Sequence, residues 1–284
     1  MPDTVEGALA LMAEYGDEAR PLAGGQSLVP LMAFRLARPS VLIDLNRIPS
    51  LASITTDHGY VRVGAMVRER AAERSDTIAR DIPLLAQALP LIGHEAIRSR
   101  GTIGGSLSHS DPAGELPAVA VATGAEMVAT SAGRGDRTIS AEEFFVTHFT
   151  TSLEADELLT EIRFPVSSPG TGTAFDEMAR RHGDFAIVGV GVRIHVEGGT
   201  IDLARVVLTG VADTPYRARA AEDVLVGSAP GSESFEAAAA AAAAADDLDP
   251  PADLHGTAAY RRKVAATLIK RTLHQAAREI GARA

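Results

Sequence analysis

The chain has 284 residues, 46% of them hydrophobic and 23% charged, which is ordinary soluble globular composition and enough length for two domains. Its net charge of −10 argues against nucleic acid as a partner. The absence of cysteine excludes disulfides, thiolate nucleophiles and any iron–sulfur cluster ligated by this chain. No apolar run reaches the roughly 18 residues of a membrane helix, and the start lacks a signal-peptide pattern, so a cytoplasmic protein is expected.

In chain order, Val5, Leu9 and Met12 recur at helical spacing behind Thr4 or Asp3 as N-cap, and Gly16 ends that helix. Residues 20–22 read as a short buried strand feeding Leu22-Ala23-Gly24-Gly25-Gln26-Ser27, with an apolar helix over residues 28–36 behind it. Residues 41–45 and 60–64 read as strands, with turn chemistry at residues 48–50 and 57–59 between them. A short charged helix over 67–74 and an apolar one over 83–91 precede a second glycine segment, Thr102-Ile103-Gly104-Gly105-Ser106. A helix over 115–122, a hairpin of 126–130 with 137–139, and a strand over 157–164 stopped by Pro165 follow.

The composition break at residues 166–172 (VSSPGTG) marks the domain boundary. Beyond it, residues 173–178, 186–196 and 200–211 read as three strands. Val188, Val190, Val192, Ile194 and Val196 alternate as in a sheet with one covered face. Helices are expected over 217–226, over 232–245, whose alanine run reads as a surface helix, and over 258–280. In the last, Val264, Leu268, Ile269, Leu273, Ala276 and Ile280 share one face.

Several chemistries are absent. His94-Glu95-Ala96-Ile97-Arg98 has Arg98 where H-E-x-x-H needs its second histidine. Gly189-Val190-Gly191 lacks the third glycine of a dinucleotide fingerprint, and Gly104-Gly105-Ser106-Leu107-Ser108 lacks the last glycine of a G-x-S-x-G elbow. His109 beside Asp111 is the pattern of a solvated pair more often than of an acid–base couple. The two Gly-Gly segments remain. Taken singly each is an ordinary turn, but glycine lets main-chain N–H groups approach a ligand closely, and successive N–H groups can nest an anion such as a diphosphate.

Residues 21–48 (PLAGGQSLVPLMAFRLARPSVLIDLNRI) and 96–118 (AIRSRGTIGGSLSHSDPAGELPA) resemble the two FAD-binding signatures of the medium subunit of molybdenum hydroxylases. The likeness continues through DELLTEIRFP, ARRHGDFAIVGVGV and AAYRRKVAATLIKR, over nearly the whole chain. It implies an α+β fold: a two-lobed FAD-binding domain of the vanillyl-alcohol oxidase (PCMH) type over 1–166, with lobes of about 1–50 and 51–166. A C-terminal domain over 172–284 would hold a small three-stranded antiparallel sheet plus helices. By the same resemblance, Leu22, Ala23, Gly24, Gly25, Gln26 and Ser27 wrap the FAD diphosphate, and Thr102, Gly104, Gly105 and Ser106 close on it from the second lobe. Asp111 contacts FAD, Ile92 packs on the flavin ring, Leu159 touches its edge and Phe185 shields it; Arg180 and Arg181 serve FAD or a subunit interface.

The resemblance further implies partners: a large molybdopterin subunit and a small [2Fe–2S] subunit, in an assembly of two large–medium–small trimers. Electrons would reach FAD from the clusters and leave to NAD, a quinone or oxygen. Three departures stand out. Relatives carry a strand-forming segment before the first helix, where this chain starts almost at the helix. Ser106 replaces the usual Asn, and Glu177 stands where bacterial relatives often have a lysine, so the lysine's role is not carried over. A stand-alone flavoprotein oxidase and a non-enzymatic scaffold protein remain as alternatives.

Overall fold

The structure is a computed structural model that describes residues 1–283. The Thr4 hydroxyl accepts the Gly7 N–H at 3.0 Å and so caps the helix Val5–Tyr15, which Gly16 ends at φ 49°. Ala8, Leu9 and Met12 of that helix pack on a parallel pair, β1 (Ala19–Leu22) and β2 (Val41–Asp44), in register from Ala19–Val41 to Leu22–Asp44. Against expectation β1 is only partly buried: Arg20 and its register partner Leu42 both stand exposed, because this sheet is two strands wide and packs through one face. The helix after the first glycine segment is also shorter than expected, Leu28–Ala33.

The second lobe is built on a five-stranded antiparallel sheet. Its strands are β3 (Ile54–Asp57), β4 (Tyr60–Gly64), β5 (Glu126–Ser131), β6 (Gly135–Ser140) and, after the small hairpin β7 (Phe145–Thr147) and β8 (Thr150–Thr151), β9 (Glu157–Pro165). The order is β3-β4-β9-β5-β6, so the chain leaves after β4 and returns through its middle. The sequence did not announce β3. It is an edge strand with three of four residues exposed and no apolar alternation, joined to β4 through His58 (φ 46°) and Gly59 (φ 82°), the two left-handed residues of a tight hairpin. Helices of four to six residues at Asp76–Asp81, Glu95–Arg98 and Ala141–Phe144 are likewise too short to carry a period. Leu51, Met66 and Leu158 of this lobe complete the core under the first helix, so the two lobes share a hydrophobic seam.

The C-terminal sheet has four strands, where three were expected. They are β10 (Thr171–Met178), β11 (Val188–Glu197), β12 (Thr200–Thr209) and the two-residue β13 (Tyr216–Arg217), antiparallel and in sequence order. A second correction concerns its faces. The helix Ala258–Arg283 covers one with Val264, Leu268, Ile269, Leu273 and Ala276, as the spacing implied. The other is covered too, by the helix Glu115–Thr123, all of whose residues are buried. A Cβ on Gly191 would lie 3.3 Å from the Phe175 ring and 3.9 Å from Ala122 Cβ, so the small residues of β11 mark where that helix packs. The alanine-rich helix Ser232–Ala244 is no free surface helix either: Phe235, Ala238, Ala239 and Ala242 are buried, and the Phe235 ring meets His274 edge-on at 5.0 Å. Among the described residues no helix is long and apolar enough to cross a membrane.

Candidate functional site

The two glycine segments, nearly eighty positions apart, meet. A Cβ placed on Gly24 would fall 2.2 Å from the carbonyl oxygen of Arg100 and 2.8 Å from Gly101 Cα, and one on Gly105 would fall 3.2 Å from Ala23 Cβ. Only glycine permits this approach at position 24. Gly25 supplies the turn itself at φ 72°. Among the described residues the main-chain N–H groups of Gly24, Gly25, Gln26 and Ser27 donate no hydrogen bond within the chain, although all four residues are half-buried. The side chain of Gln26 turns back to the Gly24 carbonyl at 3.2 Å. A run of half-buried donors without acceptors is a site for an anion.

The second segment works differently from expectation. It is the first turn of the helix Ile103–His109 rather than a loop, and Thr102 is its N-cap, accepting the Gly105 N–H at 3.1 Å. The N–H groups of Ile103 and Gly104 donate to the carbonyls of Val67 (3.0 Å) and Ala65 (2.9 Å), and that of Ser106 to Thr102 (3.0 Å). These amides are therefore already engaged. Gly104 is needed because a Cβ there would sit 2.4 Å from Ala65 Cβ. What this segment presents at the seam is a close wall and the half-buried Ser106, not a second nest, since Thr102 is buried and its hydroxyl serves as the N-cap.

Three residues at the seam went unread in the sequence. Arg68 donates to Asn46 Oδ1 at 2.5 Å and to the Arg100 carbonyl, and Asn46 Nδ2 donates to the Ala23 carbonyl at 3.0 Å. Arg68 thus ties the first glycine turn to the strand of backbone leading into the second. Burial first, and then the neighbouring Arg100, pulls its pKa below the ordinary value while Asp44 opposes them; a guanidinium stays charged regardless. Glu69 is buried at 3% exposure with its Oε2 unpartnered, and it occupies the space where Gly101 would carry a side chain. Burial, then repulsion from Glu115, raises its pKa to about 8, with Arg98 opposing. In the sequence Arg68 and Glu69 read only as members of a charged helix over 67–74, and it is the seam geometry that distinguishes them.

The other sequence-derived residues do not all gather here. Ile92 and Leu159 lie in the second lobe's hydrophobic core. Leu159 is the closer to the seam: the next residue, Thr160, accepts the Ala65 N–H at 2.9 Å, and Ala65 accepts that of Gly104. Ile92 is held by the buried Arg98, which donates to its carbonyl at 2.9 Å and pairs with Glu73 at 3.0 Å. Asp111 follows the far end of the helix Ile103–His109, where its Oδ1 accepts the Ala113 N–H at 2.8 Å and its Oδ2 lies 4.0 Å from His109 Nε2. Phe185 is 67% exposed, on a loop brought against residues 93 and 94 by Gly183, whose Cβ would fall 2.4 Å from His94 Cε1. Cavities of about 170 and 260 Å³ lie elsewhere, beside Glu142 and Arg217 and beside Phe175 and Glu279. Neither borders the glycine segments.

Fold and seam together define a two-lobed α+β domain with a glycine turn of unengaged amides where the lobes join, followed by a sheet-and-helix unit that packs on the helix Glu115–Thr123. Residues 1–167 match the FAD binding domain in molybdopterin dehydrogenase, and residues 173–276 match the CO dehydrogenase flavoprotein C-terminal domain. The chain is 44% identical over 275 residues to the 6-hydroxypseudooxynicotine dehydrogenase complex subunit alpha of Paenarthrobacter nicotinovorans, covering 96% of this chain and 92% of that one. It is 39% identical to the carbon monoxide dehydrogenase medium chain of Hydrogenophaga pseudoflava, covering 97% and 95%. A solved structure of the carbon monoxide dehydrogenase of Hydrogenophaga pseudoflava, lacking the Mo-pyranopterin moiety of its molybdenum cofactor, superposes with a TM-score of 0.94 at 41% identity, covering 98% of this chain and 96% of that one. The chain belongs to the FAD-binding flavoprotein subunits of the molybdopterin-dependent dehydrogenases.

Proposed function

We propose that this chain is the FAD-carrying electron-transfer subunit of a molybdenum hydroxylase. It would work in the cytoplasm, with residues 1–166 as the FAD-binding unit of vanillyl-alcohol oxidase type and residues 172–284 as the C-terminal unit. What carries this is the contact of Gly24 with the Arg100 carbonyl, which sets four unengaged N–H groups at the junction of the lobes. These suit a diphosphate: residues 22–27 would hold it through the main chain, with the Ser106 hydroxyl on the opposite wall. Bound FAD would supply the redox chemistry, taking electrons from [2Fe–2S] clusters on a partner chain and passing them to an external acceptor. The polypeptide's own part is to bind, orient and shield the cofactor. Ile92 and Leu159 offer apolar support to the flavin ring, Phe185 a cover from the C-terminal loop, and Asp111 a polar contact at the helix's far end. A chain without cysteine needs a cluster-bearing partner, and the relatives' designations as a complex subunit and a medium chain support a multi-subunit assembly with a large molybdopterin chain.

The test is colour and turnover. Purified protein should be yellow or take up FAD, and should oxidise no substrate until its partner chains are added. Colourless protein indifferent to FAD would overturn the assignment, and substrate turnover by the isolated chain would favour a stand-alone oxidase.

A further inference from the structure

The helix Leu28–Ala33 (LVPLMA) is apolar throughout and buries none of its residues. Directly after it, Phe34 is 78% and Leu36 76% exposed. A contiguous apolar surface of this kind gains nothing in a lone soluble chain and marks a place where another surface belongs. The projection is built, not frayed: Arg35 takes a left-handed φ of 60°, its N–H donates to the Met32 carbonyl at 2.9 Å, and that of Leu36 reaches back to Leu31 at 2.8 Å. The hook turns Phe34 and Leu36 outward on a fixed backbone, so little ordering remains to be done on docking.

The surrounding charge says what kind of surface fits. The patch itself, residues 28–38, carries Arg35 and Arg38 and no acid, in a chain whose net charge is −10. Arg38 donates to the Arg35 carbonyl at 3.2 Å, and among the described residues neither arginine pairs with a carboxylate. An apolar knob flanked in the chain by the unpaired guanidiniums of Arg35 and Arg38 is complementary to an apolar socket rimmed by carboxylates. The patch is also continuous with the cofactor site. A Cβ on Gly25 would touch Val29 Cγ2 at 3.2 Å, and six helical residues place Phe34 about 9 Å along the axis from the glycine turn.

We propose that residues 28–38 are the docking surface for the cluster-bearing electron-donor chain, which presents an acidic-rimmed apolar socket to Phe34 and Leu36. This rests on the functional assignment above for the partner's identity, while the surface itself stands on exposure and charge. The experiment measures association of the purified FAD chain with the cysteine-rich iron–sulfur chain of the same complex, alongside FAD uptake. Phe34→Asp with Leu36→Asp should leave FAD uptake unchanged and weaken association at least tenfold. Arg35→Glu with Arg38→Glu should weaken it and flatten its salt dependence. In the assembled complex the amides of residues 28–38 should exchange more slowly than in the isolated chain. Unaltered association by both double variants would overturn the proposal. So would slowed exchange that appears on concentrating the isolated chain, which would assign the patch to a second copy. Failure of the wild-type chain to take up FAD would instead sink the functional assignment and leave the association data to decide the surface on its own.

Discussion

The Arg68 guanidinium donates to Asn46 Oδ1 at 2.5 Å across the junction of the two lobes. Asn46 in turn holds the Ala23 carbonyl, and Arg68 the Arg100 carbonyl, so one side-chain pair fixes both glycine segments relative to each other. The site is preformed by this link rather than by the glycines alone, since glycine permits close approach without enforcing it.

Arg68→Ala and Asn46→Ala should each weaken FAD binding about tenfold, or ~1.4 kcal/mol, read by quenching of flavin fluorescence. The double variant should lose hardly more than either single one, because both act through the same bond. Arg68→Lys keeps the charge but not the fork to two acceptors, and should rescue little. Additive losses, or full rescue by lysine, would assign Arg68 to direct charge attraction instead of positioning.

Gly25→Val should abolish FAD uptake while the fold persists. A β-branched residue at φ 72° costs roughly 1–2 kcal/mol in backbone strain, and its Cβ starts 3.2 Å from Val29 Cγ2. Gly24→Ala should be the harsher for the seam, because its Cβ would lie 2.2 Å from a backbone carbonyl that no rotamer can move aside. Far-UV circular dichroism and FAD titration of both variants would check this; normal FAD affinity in Gly25→Val would misplace the diphosphate.

The sequence made the glycine segments visible but not their division of labour. Gly24-Gly25 and Gly104-Gly105 look alike as strings. One pair opens its amides and the other buries them in a helix turn, a difference set by Ala65 and Val67 on a distant stretch. Long periodic elements such as the helix Ala258–Arg283 were legible because many residues vote for one face. The edge strand β3 and the two-residue β13 were not, having too few residues or no apolar pattern. Gly189-Val190-Gly191 reads only as an incomplete dinucleotide fingerprint; in the structure a Cβ on Gly189 would meet Thr209 at 2.6 Å, and one on Gly191 the Phe175 ring and Ala122 of the buried helix Glu115–Thr123. Glu69 reads in the sequence only as one acid of a short charged helix, because nothing local tells a buried acid from an exposed one.

Glu69 gives a pH dependence of defined sign. Its folded-state pKa, raised from 4.5 to about 8 by burial and by Glu115, means the folded chain holds a proton that the unfolded chain has released. Between about pH 4.5 and 8 the folded state therefore binds more protons, and stability falls as pH rises, by up to ~1.4 kcal/mol per pH unit for one such group. Glu177, also raised to about 8 by burial and by Glu115, acts in the same direction. Glu69→Gln removes one titration, so the variant should gain on the wild type steadily from pH 5 to pH 8 in thermal melts. A gap that stays constant with pH would show that Glu69 is ionised in the folded chain.

Arg261 should prove the most sensitive charged position of the C-terminal unit. It is buried, and its guanidinium donates to the carbonyls of Ile187 and Gly210 (2.8 Å to Gly210) and pairs with Asp253 at 2.7 Å. Gly210 also donates its N–H to the Pro112 carbonyl at 2.8 Å, so this one side chain braces the end of β12 where the C-terminal sheet meets the second lobe. Arg261→Met keeps much of the volume but leaves two buried carbonyls unpaired, a loss of about 2–4 kcal/mol. Urea unfolding should report that loss. Because Ile187 anchors the loop that carries Phe185, amides of residues 179–187 should exchange faster even where the global fold is intact. If stability drops but that loop keeps its wild-type exchange, Arg261 braces the core alone, and the Phe185 loop is held from the His94 side.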